Sequence, residues 1–165
     1  MRAPFLAAVI SLLFLAPAPS AAAEVIVEFV DPQSYTDTGG YGVDAERNLA
    51  ALKRHLQTEG RRCVASDETL ALRVLDVDLA GRQEWWHPHS GGDLRVMREI
   101  TWPRLEVAYV RRNAAGASIQ EGRERISDMS YLWRSAYVRN DTGPLPYERA
   151  MLKDWFERRF CRDAH

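Results

Sequence analysis

Residues 1 to 23 do most to limit what this chain can become. Met1 and Arg2 supply one positive charge, and Ala3 to Ala16 form an apolar stretch interrupted only by Pro4 and Ser11. Pro17-Ala18-Pro19-Ser20 then breaks any helix ahead of Ala21-Ala22-Ala23, whose small side chains suit the shallow pockets of a signal peptidase. A membrane span needs about 20 apolar residues, and this run falls short of it while matching the apolar core of a secretory signal peptide. Cleavage is expected between Ala23 and Glu24, the alternative being an uncleaved membrane anchor. No cysteine stands at the cleavage point, so a lipid-modified terminus is not expected.

Export has two consequences for the remainder. Residues 24–165 are long enough for one domain with a real core and too short for two. Both cysteines, Cys63 and Cys161, lie in this part, in a compartment where disulfides persist. A bridge between them would close a loop of nearly one hundred residues and stabilise the fold by about 4 to 5 kcal/mol in the chain-entropy picture. Two buried thiols or an intermolecular bridge are the alternatives. With no C-x-x-C pair and no histidine beside either cysteine, a catalytic thiol has little support.

The whole chain carries a net charge of −1, and losing Arg2 shifts the balance by one charge only. That near-neutrality argues against a nucleic-acid or anionic-membrane role driven by net charge. Every basic residue except Lys53 and Lys153 is arginine, a bias read here as genomic composition. After signal cleavage no stretch is apolar for long enough to span a membrane.

Periodicity gives the element order. Glu24 to Val30 reads as a strand buried on much of both faces, ended by Asp31-Pro32. Asp44 is placed to cap a helix running to about Glu59, with Ala45, Leu49, Leu52 and Leu56 as its apolar stripe, His55 exposed, and Gly60 as its stop. Thr69 to Leu79 alternates and then changes phase, predicting a bulge near Val74 or two partly buried faces. Pro103 cannot donate to a ladder, so the next strand is expected to start there or to lie at an edge. Asn113 to Gly116 reads as a hairpin turn, and Ala117 to Ser127 pairs back with one solvated face or as an edge. Tyr131 to Tyr137 is ambiguous between strand and short helix. Tyr147 to Cys161 is the second helix, with Met151, Leu152, Trp155, Phe156 and Phe160 inward, and Trp102 and Trp133 are also expected in the core. The order β-α-β-β-β-α fits an α+β fold: a small, mainly antiparallel sheet with two helices on one face.

Several strings carry a resemblance. Val30-Asp31-Pro32 with Tyr35-Thr36-Asp37, then Leu75-Asp76-Val77-Asp78-Leu79-Ala80-Gly81-Arg82, Trp102-Pro103-Arg104, Tyr147-Glu148-Arg149, Met151-Leu152 and Asp154-Trp155-Phe156 resemble the exported bacterial domain-of-unknown-function family 3016. The resemblance spans nearly all of the mature chain in order. It implies an extracytoplasmic single-domain protein and brings no catalytic residues. Trp85-Trp86-His87-Pro88-His89 stands outside it, so a role for that loop would be particular to this chain.

Three constellations bear on chemistry. Asp76 and Asp78 alternate along a strand, which puts both carboxylates on one face about 7 Å apart. With Asp128 or Asp31 they would offer a hard cation several oxygens; the plainer reading has them solvated or bonded to a neighbouring loop. His87 and His89 with Asp93 approach the ligand count of a zinc or copper site, on a loop that Gly91 and Gly92 leave without fixed geometry. Gly40-Tyr41-Gly42-Val43-Asp44-Ala45 matches a dinucleotide fingerprint, but Asp44 would meet the pyrophosphate with a negative charge, far from the preceding strand. No G-x-S-x-G, H-E-x-x-H or G-K-[ST] occurs, so acyl transfer and the common metallohydrolase mechanisms have no motif. Asn140-Asp141-Thr142 is read as a chance sequon, and no cofactor is expected.

Trp85 and Trp86 lie in a polar loop where burial is not assured, and exposed tryptophan is typical of binding hot spots. The expected function is a non-enzymatic periplasmic or secreted binding or interaction module. Its surface would be the Trp85 to Asp93 loop with the adjacent sheet face, and its partner an envelope protein or a small ligand. A metal-dependent hydrolase using Asp76, Asp78 and a histidine of that loop, and a structural envelope protein, are the alternatives.

Overall fold

The computed structural model describes residues 23–40, 42–84, 94–134, 138 and 141–161. Four strands form the main sheet in the order β1-β2-β5-β6: β1 (Glu24–Phe29), β2 (Thr69–Asp78), β5 (Arg104–Arg112) and β6 (Ser118–Ser127). The strands β3 (Arg82–Gln83) and β4 (Arg95–Val96) form a separate two-stranded ribbon. β1 runs parallel to β2, joined by helix α1 (Val43–Cys63), and the other pairings of the sheet are antiparallel. Helix α2 (Pro146–Arg159) packs beside α1. The expected α+β class and the helices on one face are what the chain adopts.

Strand alternation explains the layering. Val25 and Val27, then Leu70, Leu72, Val74 and Val77, then Leu105, Val107 and Tyr109 point to one face and meet Leu52, Leu56, Leu152, Trp155 and Phe156 of the helices. The phase change in β2 is a bulge: the register with β5 shifts between Val74 and Asp76, which returns Val77 to the core face. β6 is an edge strand with mostly exposed residues, as its polarity predicts.

Several expectations need correction. β1 is also an edge strand, buried only on its helix side, and Ile26 is half exposed on the other. Helix α1 does not stop at Gly60 but runs on to Cys63. Gly60 is instead a packing glycine: a Cβ there would lie 2.9 Å from both methyls of Val25. Gly42, not Asp44, is the N-cap, and Asp44 sits in the first turn. His55 is half-buried, with its Nε2 3.0 Å from the Arg149 carbonyl oxygen, because α2 closes over that side of α1; burial holds its pKa below the ordinary value. Trp133 is 88% exposed and Trp102 only partly buried under the Arg104 guanidinium, 5.3 Å from its ring centre. The segment 131–134 is a 3-10 turn anchored by buried Tyr131, which turns Trp133 outward.

Cys63 and Cys161 are joined in a disulfide across 98 positions of sequence, tying the end of α1 to the chain just beyond α2. The fold therefore has two unlike ends. One holds the disulfide, the start of β2 and the 113–117 hairpin turn. At the other, β1, β2 and β6 finish, β5 starts, both helices begin, and the described parts of the connecting segments, 30–40, 79–84, 94–103 and 128–134, gather. No helix among the described residues is long and apolar enough to cross a membrane.

Candidate binding surface at the loop end

The loop end is built around two aspartates. The chain at Asp37 lies beside the end of β2, its N–H donating to the Val77 carbonyl at 2.8 Å while its own carbonyl accepts from the Leu79 N–H. Its carboxylate accepts from Arg82 and Arg95, both at 2.9 Å, and from the Gly39 N–H at 2.7 Å. Burial pushes that carboxyl up, but these donors outweigh it and hold the pKa below its ordinary value. Asp78 is buried and accepts from Arg82 at 2.8 Å and from Arg104, whose Nε lies 2.9 Å away.

Arg95 fastens the turn that follows Asp78. Its Nε donates to the Ala80 carbonyl at 2.6 Å, and its Nη2 to those of Leu79 and Gly81 at 2.9 and 3.1 Å. Gly81 adopts φ +78, and an added Cβ would strike the Val96 carbonyl oxygen at 2.8 Å, so the turn requires glycine. From the other side Glu148, at the start of α2, accepts the Ala80 N–H at 2.7 Å. Its carboxyl is buried, and that desolvation raises its pKa. Four of the strings that carry the family resemblance thus meet here, through Asp37, Asp78 with Arg82, Arg104 and Glu148, and close this end of the domain.

Three further ion pairs, made by two arginines, extend it. Arg98 pairs with buried Glu84, and Arg134 bridges Asp128 at 2.8 Å and Asp154 at 2.6 Å. Tyr131 stitches the segments together by donating to the Arg98 carbonyl at 2.8 Å. Around these groups lie most of the exposed large apolar side chains among the described residues: Val43, Leu94, Met97, Ile100, Met129 and Trp133.

Asp76 accepts from the Thr36 N–H at 2.8 Å and from its Oγ1 at 2.9 Å, and Asp78 is held by two arginines, so the pair is bonded to a neighbouring loop and to guanidinium groups. Asp128 lies with Arg134, and Asp31 is an exposed turn residue with φ 51. Among the described residues no group of three or more His, Cys, Asp or Glu side chains is placed to hold a metal. Trp85, Trp86, His87, His89 and Asp93 lie outside the described residues, as does Tyr41 of the glycine-rich loop. The residues on either side of that stretch are bonded: the Glu84 N–H donates to the Leu94 carbonyl at 2.9 Å, at the root of the β3-β4 ribbon.

Sequence reasoning missed Arg82, Arg95, Arg98, Arg104 and Arg134, because an arginine-rich composition hides the individual arginines that matter. It also missed Ile100, Met129 and Trp133, whose apolarity reads as core. A polar cleft between the helices, about 310 Å³ and lined by His55, Glu59, Arg62, Asp141, Arg149, Ala150 and Lys153, went unforeseen as well.

The fold and this surface define a small disulfide-tied α+β domain whose charges are paired with one another around a loop-rich end. The chain belongs to the family described as "Protein of unknown function (DUF3016)", whose profile matches residues 23–158. No curated protein matches it. Among solved structures, the 2.35 Angstrom crystal structure of a minor lipoprotein from Acinetobacter baumannii is similar at 17% identity, covering 90% of this chain and 96% of that one, with a TM-score of 0.26.

Proposed function

We propose that this is an exported, non-enzymatic binding or interaction module that meets its partner with the loop end of the domain. The observation that carries the reading is the concentration of exposed apolar side chains there, with Trp133 and Ile100 the most exposed. A monomeric surface seldom groups large apolar residues without a use for them, and Trp, Met and Arg are enriched where proteins meet. Trp85 and Trp86, which follow Glu84 in sequence, lie outside the described residues. Export is supported by the layout of residues 1 to 23 and by the Cys63–Cys161 bridge, which persists in oxidising compartments. The hydrolase alternative is less well supported, since Asp76 and Asp78 are engaged by Thr36, Arg82 and Arg104.

The test is site-specific photocrosslinking in cells that export the protein. A photoreactive residue at position 133, or at 85 or 86, is expected to capture a defined partner, and one at exposed Ala115 on the opposite end is not. Trp85→Ala/Trp86→Ala should keep the melting temperature and lose that crosslink. Equal labelling from both ends, or none from position 133, would remove the reading, and crosslinks only to other copies would favour a structural envelope protein.

A further inference from the structure

We infer that the loop end takes an acidic, apolar segment of a partner protein, read by guanidinium groups that the fold holds outward over buried carboxylates. This rests on the reading of that end as the binding surface. The asymmetry of the ion pairs carries it. Arg98 is 48% exposed over Glu84 at 2%, Arg104 is 36% exposed over Asp78 at 3%, and Arg134 is 36% exposed over Asp128 at 9%. In the Arg98 and Arg104 pairs the carboxylate lies beneath and the guanidinium faces out, while Arg134 is also engaged by the partly exposed Asp154 at 2.6 Å. The segments that carry these arginines also expose Ile100, Met129 and Trp133.

Such a surface complements carboxylates alternating with apolar side chains. A guanidinium with one edge held by a buried carboxylate keeps its other donors in a fixed plane, so less side-chain freedom is lost on binding. An anionic bilayer fits less well. The buried carboxylates cancel the long-range field that would draw the domain to a charged membrane, while Asp31, Asp44 and Glu99, exposed at the same end, oppose a bilayer and any peptide carboxylate not seated directly on a guanidinium. A peptide within hydrogen-bonding distance still reads each guanidinium locally.

Selection of a phage-displayed random peptide library on the full mature protein tests this. Wild type and two variants are compared: Trp133→Ala, and Glu84→Gln/Arg98→Gln, which removes one charge pair while leaving two groups able to hydrogen-bond. The expected consensus alternates Asp or Glu with aromatic or aliphatic residues. In fluorescence anisotropy the consensus peptide should bind about tenfold more weakly to Trp133→Ala and several-fold more weakly to the double variant. Replacing its carboxylates with amides should weaken it similarly. A Trp133-dependent consensus lacking acidic residues would overturn the guanidinium reading and leave the binding surface standing. Loss of any Trp133-dependent consensus would overturn both. Trp133-dependent sedimentation with equimolar phosphatidylethanolamine and phosphatidylglycerol vesicles, without peptide selection, would make the occupant a lipid surface and overturn the inference.

Discussion

Replacing Gly60 with alanine tests how closely α1 is seated on the sheet. A Cβ at this position would lie 2.9 Å from both Val25 methyls and 3.5 Å from Leu70 Cδ2. Turning Val25 about χ1 gives no relief, because moving one methyl out brings the other in. The helix cannot drift freely either, since the disulfide at Cys63 fixes it less than one turn further on. Alanine gains about 0.5 to 1 kcal/mol over glycine inside a helix, while overpacking a tight core contact costs about 1 to 3 kcal/mol. The net expectation is a loss of about 1 to 2 kcal/mol, or roughly 3 to 8 °C in a domain of this size. Urea and thermal unfolding followed by circular dichroism give the number. The double variant Val25→Ala/Gly60→Ala should lose little beyond Val25→Ala alone, because the clash has gone. A Gly60→Ala protein as stable as wild type would refute the packing account.

Gly122 is a second packing glycine: a Cβ there would lie 2.8 Å from the Tyr109 hydroxyl, so Gly122→Ala should cost about 1 to 3 kcal/mol, and Tyr109→Phe should recover part of it in denaturant titrations. Removing the bridge with Cys63→Ala/Cys161→Ala closes no loop in the unfolded chain and should lower stability by about 4 to 5 kcal/mol, read as a urea midpoint shift that matches wild type under reducing conditions. Glu148→Gln keeps an acceptor for the Ala80 N–H and removes a carboxyl whose folded pKa lies above its ordinary 4.5. A group of that kind adds stability below its unfolded pKa and loses it as pH rises through the folded value, so the advantage of Glu148→Gln should grow from pH 4.5 upward; a constant difference in melting temperature across that range would refute it.

What was legible in the sequence, and what was not, divides along physical lines. Strand alternation and helix stripes report burial directly, so β2, β5, both helices and the bulge near Val74 could be read from them. The hairpin at 113–116 was legible because its turn chemistry is local. Gly60 was misread because a glycine that ends a helix and one that lets a helix touch a strand look alike until the strand is in place. Trp133 was misread because apolarity does not say which way a short turn will face, and here buried Tyr131 settles that orientation. The loop-end charges could be listed but not paired. Asp37, Asp78, Arg95 and Arg104 come from four different segments, and only topology brings them together.

The arrangement of those pairs couples folding to binding. A carboxylate buried as deeply as Asp78 is tolerable only while it is matched, and removing one partner of such a pair costs about 3 to 5 kcal/mol by leaving the other charge uncompensated. Single arginine substitutions at this end should therefore disturb the fold and the surface together, and their binding defects would not separate the two. Neutralising both members of a pair leaves hydrogen-bonding groups of similar shape in place. Trp133 needs no such precaution, since its ring is almost wholly in solvent. Comparing the paired and the exposed substitutions thus distinguishes a surface that recognises a partner from a charge network that only closes the end of a domain.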